Sequence, residues 1–195
     1  MSSLIHLAST SPRRREILET LGINFDVIPV ETDESAQQGE TPGEMVLRLA
    51  IAKADAATHG KFVLAADTIV VLGDRVLGKP RDADDGVEML LALSGRAHAV
   101  MTGVALKTPT ETRAVLSTTD VQFREIGRDE AYRYWQSGEP CDKAGAYAVQ
   151  GRGGVFVERI EGSYSGVVGL PVFETAALLA SAGLGVVPKQ KTNDG

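Results

Sequence analysis

A chain of 195 residues, 43% hydrophobic and 24% charged, has the composition of one ordinary globular domain, large enough to fold without a disulfide or metal staple. The single cysteine, Cys141, excludes an intramolecular disulfide and argues against a cysteine-based zinc site. A net charge of −6 argues against a binder of duplex nucleic acid, which needs a basic face, but leaves room for a small anion held by a few convergent cations.

In chain order, the first nine residues lack a basic segment followed by a long apolar stretch, so no signal peptide is expected and the expected location is cytoplasmic. Leu4 to Ala8 reads as a short strand, and Ser11-Pro12 as an N-cap followed by proline at the first helical position. Ile17, Leu18 and Leu21 give that helix an apolar face, and Gly22 stops it. Phe25 to Pro29 reads as a second strand. Thr41 with Glu44 forms a capping box, and Val46, Leu49, Ala50 and Ala54 mark the buried side of the helix that follows.

Phe62 to Ala66 and Ile69 to Leu72 read as strand segments on either side of Asp67, and Gly73-Asp74 turns the chain into Arg75 to Leu77. Asp82 caps a helix with Val87, Leu90, Leu91 and Leu93 inward. His98 to Lys107 and Arg113 to Phe123 form a long antiparallel hairpin. Asp129 to Gln136 is helical, with Tyr132 and Trp135 on one side. Strand pieces at Ala146 to Val149 and Val155 to Ile160 precede a last helix, Val172 to Ser181. The most apolar window, Val167 to Val187, is broken by Pro171 and Glu174, so it reads as a core helix and not a membrane span. Residues 1–187 are expected to form a single domain, and the polar segment 188–195 a flexible tail. Early alternation of helix and strand followed by a meander points to an α/β domain with a mixed, twisted sheet flanked by helices.

The phosphate-binding Gly-x4-Gly-Lys loop, the Gly-x-Gly-x-x-Gly turn, His-Glu-x-x-His and Gly-x-Ser-x-Gly are all absent, which removes the common nucleotide-binding, zinc-protease and serine-hydrolase readings. What remains are polar residues at element ends. Ser9, Thr10, Ser11, Arg13 and Arg14 lie where a strand enters a helix, a place suited to phosphate and equally to simple capping. Asp67 stands among apolar strand residues, where a carboxylate must be paired, hydrogen-bonded or metal-bound; a turn aspartate bonded to local backbone is the alternative. Lys79, on the loop after the hairpin, could face it and hold a triphosphate or a departing pyrophosphate, or could be a surface lysine. Glu31, Asp33 and Glu34 form an acidic cluster of the kind that holds magnesium or that is merely solvated. The small-residue run from Ala144 to Gly151 lets a ligand approach the backbone, and Gln150 within it could read a base edge or bond to the backbone.

The segments Leu7 to Arg14, Ala66 to Thr68, Gly78 to Pro80, Asp142 to Tyr147 and Val168 to Pro171, in this order and spacing, resemble the Maf family of nucleoside triphosphate pyrophosphatases. The resemblance runs from Leu4 to about Ala182. It implies hydrolysis of a nucleoside triphosphate to the monophosphate and pyrophosphate with a divalent cation, Mg2+ or Mn2+. It also implies a Maf/ITPase-like α/β fold with two lobes around a central cleft, and a homodimer with neither a nucleic-acid polymer nor a membrane as partner. By position, Asp67 matches the family's catalytic proton acceptor and Glu34 its acidic cleft residue; Asp67 or Glu34, with phosphate oxygens, would hold the metal, so Asp67 is expected as general base or as metal ligand. Ser9, Arg13, Arg14, Lys53 and Lys79 match polar positions of the substrate cleft. The Asp67-Thr68 pair and the run through Gln150 are similar to the branch acting on dTTP and UTP, in which Arg13, Thr68 and Gln150 are linked to specificity. Ala148 departs from the glycine expected there and bears on the base pocket. The competing readings are the same reaction on modified or 7-methyl-GTP-type nucleotides, and a non-catalytic, nucleotide-sensing regulator of cell division.

Overall fold

The computed structural model describes residues 5–186. The tail expected at 188–195 lies outside the described residues, as do the ends of the expected 1–187 domain. Short apolar runs near the N-terminus make a parallel layer: β1 (Ile5–Leu7) lies between β2 (Phe25–Val27) and β3 (Val63–Leu72) and is parallel to both. Parallel neighbours require crossovers, supplied by α1 (Pro12–Thr20) and α2 (Pro42–Ala56). Pro12 opens α1 and Leu18 is its buried anchor; the chain leaves it through Gly22, whose φ of 67° is left-handed. Ser11 stands at the N-cap position, but its side chain makes no capping bond, contrary to expectation. Its N–H instead donates to Ser9 Oγ at 3.2 Å, because the turn is built around Ser9. In α2 the capping box is complete, with Thr41 accepting from the Glu44 N–H while Glu44 accepts from the Thr41 N–H. Val46, Leu49, Ala50 and Ala54 are its buried face, as the periodicity predicts.

From β3 onward the sheet is antiparallel. β3 pairs with β4 (Arg75–Leu77) and with β5 (Ala97–Lys107), β5 with β6 (Thr112–Phe123), and β6 with β7 (Val157–Glu161). The order is β2-β1-β3-β5-β6-β7 with β4 on β3, a mixed sheet of seven strands. The two segments expected around Asp67 are one continuous strand of 10 residues. Asp67 pairs with Gly103 without interrupting the ladder, so its side chain alone carries the polarity into the fold.

α3 (Ala83–Leu93) is capped by Asp82, which accepts from the Asp85 N–H at 2.9 Å. In α4 (Arg128–Trp135) the inward residues are Ala131 and Tyr134, whereas Tyr132 is exposed, a correction to the expected pairing of Tyr132 with Trp135. Trp135 is half-buried over Gly86, where a β-carbon would lie 2.3 Å from the indole ring. No strand forms at Ala146 to Val149. Gly145 and Ala146 adopt positive φ values of 69° and 57° in tight 3-10 turns, which a strand does not accommodate. A short helix absent from the sequence reading, α5 (Tyr164–Val168), is capped by Ser163, and α6 (Val172–Ser181) closes the described chain as expected.

Of the apolar clusters that share the long strands, one gathers Leu7, Leu18, Leu64, Leu106, Leu170 and Leu179, and another gathers Val70, Leu90, Phe123, Tyr147 and Phe156. β3 crosses from the first to the second, with Ala66 in one and Val70 in the other, so Asp67 and Thr68 fall at the seam between two lobes. Among the described residues, no helix is long and apolar enough to cross a membrane.

Candidate active site

A cleft of about 510 Å³ opens at this seam. The turn from β1 into α1 brings Ser9, Arg13 and Arg14 to it, and the loop after β2 brings Glu34. α2 contributes Lys53, β3 contributes Asp67 and Thr68, and the loop after β4 contributes Lys79. Gln150 closes the far side, in the turn between the 3-10 segments Ala144–Ala146 and Arg152–Phe156. Ser9, Arg13, Arg14, Glu34, Lys53, Asp67, Thr68, Lys79 and Gln150 thus border one space, although they span the chain from position 9 to position 150.

The centre is a carboxylate held by a lysine. Asp67 is only 9% exposed, and a carboxylate so placed needs a compensating partner. Lys53, in the last turn of α2, donates from Nζ to Asp67 Oδ1 at 2.6 Å and to Glu34 Oε1 at 2.5 Å. The bond from Lys53 holds the Glu34 carboxyl below its usual range, against the opposing effect of burial. α2 can lie this close to the sheet because Gly103, the strand partner of Asp67, has no side chain; a β-carbon there would sit 2.6 Å from the Val46 carbonyl oxygen.

Of the acidic cluster, only Glu34 faces the cleft. Glu31 does not border it, and Asp33 is turned into its own loop, accepting from the Ser35 N–H at 2.9 Å and the Ser35 hydroxyl at 2.6 Å. Among the described residues, no group of three or more His, Cys, Asp or Glu side chains could hold a metal by itself. Asp67 and Glu34 nevertheless converge on the same ammonium, and two carboxylates completed by substrate phosphate oxygens are a donor set that Mg2+ accepts. A cation held by these two carboxylates would have to compete with Lys53.

Arg14 organises the opposite wall. Its Nε donates to the Gly169 carbonyl at 2.8 Å, Nη1 to Ser9 Oγ at 3.1 Å and Nη2 to Thr68 Oγ1 at 3.3 Å. Burial lowers its pKa, partly offset by the Asp67 charge, and a guanidinium stays protonated regardless. The hydroxyls beyond it have a fixed polarity. Thr102 gives its one hydrogen to the Gly166 carbonyl at 2.8 Å, so across the 3.0 Å contact between the two threonine oxygens Thr68 must be the donor. With its hydrogen committed and Arg14 donating to it, Thr68 offers the cleft only acceptor capacity.

On the Gln150 side of the cleft, the Gly145 N–H donates to the Gly78 carbonyl at 3.1 Å, tying the Lys79 loop to the run that leads to Gln150. Lys143, not anticipated as a site residue, also borders the cleft and is paired with Asp142. Burial pushes the Asp142 carboxyl up, but Lys143 and Arg13 together bring it below its ordinary value. Thr102 was missed as well, because in a strand rich in Val and Thr nothing marks one threonine as part of a relay. Lys143 did carry a signal: it stands at the head of the quoted run from Asp142.

A solved structure described as the Staphylococcus aureus Ham1 protein is partly alike, with a TM-score of 0.44 at 21% identity over 62% of this chain and 72% of that one. The chain is 53% identical over 185 residues to a Saccharophagus degradans protein named dTTP/UTP pyrophosphatase, covering 91% of this chain and 88% of that protein. Proteins with the same name from Vibrio parahaemolyticus (50% identical, covering 89% and 94%) and Anaeromyxobacter dehalogenans (53%, covering 94% and 96%) are similarly related. The family profile described as Maf-like protein matches residues 4–182, nearly the whole described chain, and the chain belongs to that family.

Proposed function

We propose that this chain is a nucleoside triphosphate pyrophosphatase that converts dTTP and UTP to the nucleoside monophosphate and pyrophosphate with a divalent cation. The observation that carries the reading is the Lys53–Asp67–Glu34 cluster, centred on an Asp67 buried mid-strand, in a cleft also lined by Arg13, Arg14, Lys79 and Lys143. Relatives at about half identity over most of the chain, all named dTTP/UTP pyrophosphatase, support the substrate.

Phosphoryl-group chemistry asks a protein mainly for positioning and charge neutralisation. A water attacks the α-phosphorus, the bond from that phosphorus to the α–β bridging oxygen breaks, and pyrophosphate leaves. Asp67 accepts the water's proton through its carboxylate. Lys53, Lys79, Arg13 and Arg14 neutralise the charge that builds on the departing pyrophosphate, in a cleft where such interactions are worth more than in water. Ser9, held by Arg14 at the α1 N-terminus, offers a hydroxyl to the phosphates. Asp67 and Glu34 would hold Mg2+ or Mn2+, and a cation bound there would polarise the phosphoryl group and lower the pKa of the water.

Gln150 and Thr68 address the base. Thymine and uracil carry a hydrogen on N3 where cytosine has a lone pair, and the acceptor-only Thr68 fits the former. Resemblance to the family supports a homodimer in the cytoplasm as part of the same reading.

Replacing Asp67 by Asn tests the proposal, because the amide keeps the shape and loses the basicity. Turnover of dTTP should fall by at least about a hundredfold, the typical contribution of a general base, with the fold intact. A variant that releases pyrophosphate at the wild-type rate would remove Asp67 from the reaction.

A further inference from the structure

Gln150 lies exposed at the mouth of the cleft on a segment without regular strand pairing, yet a residue that reads a base must be held in place. The structure shows what holds it. Glu139, in the 3-10 turn after α4, accepts the Gly153 N–H at 3.0 Å and the Tyr134 hydroxyl at 2.7 Å on Oε1. Its Oε2 accepts the Arg152 N–H at 3.0 Å. Tyr134 completes the frame, its hydroxyl oxygen accepting the Ala148 N–H at 3.1 Å. Ala148 on one side of Gln150 and Arg152 and Gly153 on the other are therefore clamped to a single carboxylate–phenol pair.

The glycines of the segment are spaced for this clamp. A β-carbon at Gly151 would lie 2.4 Å from Glu139 Oε2, and one at Gly153 would lie 2.6 Å from the Tyr134 hydroxyl oxygen. Gly151 has ordinary negative φ, so what it supplies is room and not backbone freedom. At this position the small residue admits the protein's own carboxylate, not a ligand as its sequence setting suggests. The frame is anchored in turn, since Tyr134 is buried edge-on against Phe156 with ring centroids 5.0 Å apart.

We infer that Glu139 and Tyr134 are positioning residues for base recognition, fixing the Ala148–Gly153 segment so that Gln150 meets the pyrimidine edge. Neither borders the cleft, and both act through Gln150. The inference rests on the reading of Gln150 as a base contact. It separates base selection from phosphate binding, which stays with Arg13, Arg14, Lys53 and Lys79.

The test compares Glu139→Gln and Tyr134→Phe with wild type, using kcat and KM for dTTP, UTP and CTP, and inhibition by inorganic tripolyphosphate, which engages only the phosphate half. Both variants should lose about tenfold in kcat/KM for dTTP and UTP, mostly through KM. Their preference over CTP should shrink, while the inhibition constant for tripolyphosphate stays unchanged. In a Gln150→Ala background Glu139→Gln should add no further loss of discrimination. Equal weakening of tripolyphosphate and dTTP would make the pair merely structural and overturn the inference, as would undiminished discrimination in both variants. Should Glu139→Gln fail to fold, Tyr134→Phe carries the test alone. A wild-type protein that hydrolyses none of the three nucleotides overturns the substrate reading itself, and the inference with it. A wild type that discriminates beside variants that discriminate equally well overturns only the clamp.

Discussion

Replacing Lys53 by Met separates the structural role of the central lysine from its chemical one. Methionine keeps much of the aliphatic stem and removes the ammonium. The two contacts of that ammonium lie in different surroundings: the Lys53 and Asp67 side chains are 13% and 12% exposed, whereas Glu34 is 54% exposed. Losing the bond to Glu34 costs little, on the order of 0.2–1 kcal/mol, because water takes its place. Losing the bond to Asp67 strands a buried carboxylate, which typically costs about 3–5 kcal/mol. For a chain of this size about 2–4 °C of melting temperature accompanies each kcal/mol, so the variant should melt roughly 6–20 °C lower. Neutralising the stranded charge should undo much of the loss. Denaturant unfolding of wild type, Lys53→Met, Asp67→Asn and the double variant should give a coupling of about 2–3 kcal/mol, the double variant being more stable than the sum of the singles predicts. Additive losses would refute the reasoning and show that Lys53 and Asp67 do not depend on each other in the fold.

Three further outcomes follow from other parts of the structure. Gly103→Ala should destabilise by about 1–3 kcal/mol in denaturant titration and lower turnover, because α2 must lift and carry Lys53 with it; wild-type values for both would contradict the close approach. Thr102→Val frees the Thr68 hydrogen, so the preference for UTP over CTP in competition assays should drop by about tenfold; an unchanged ratio would sink the fixed-polarity argument. Burial pushes the pKa of His98 down to about 4 from 6.5. The unfolded chain therefore takes up a proton that the folded one refuses. This contribution to stability is intact above pH 6.5 and lost as pH falls toward 4, by up to about 1.4 kcal/mol per pH unit. The depressed carboxylates Glu34 and Asp142 act in the same sense but only at lower pH, so a His98→Gln variant should show a flatter stability profile between pH 6.5 and 5. An unaltered slope would contradict the assignment.

Local chemistry was the part of the fold most legible in the sequence. Thr41 and Glu44, the periodicity of α2 and the proline at the start of α1 each act within a few residues, and the structure bears all three out. What escaped depends on contacts from far along the chain. Tyr132 and Tyr134 are chemically alike, and contacts with Phe156, Ala148 and Glu139 hold the second inward. Ala146 to Val149 has strand-like composition, yet the positive φ of Gly145 and Ala146 serves a turn tied to Gly78. Much of the candidate site was legible because Ser9, Arg13, Glu34 and Lys79 sit at or beside element ends, and Asp67 because a carboxylate stands out within an apolar strand. Its supports, Thr102, Gly103, Glu139 and Tyr134, were not, since each matters only through a partner brought to it by the fold.

The most direct test of the account is pyrophosphate release by the purified protein from dTTP, UTP, CTP, GTP and 7-methyl-GTP, with Mg2+ and with a chelator. Release that requires the cation and is fastest from dTTP and UTP is the predicted result. Binding of these nucleotides without any release of pyrophosphate would contradict it and make the cleft a sensor's.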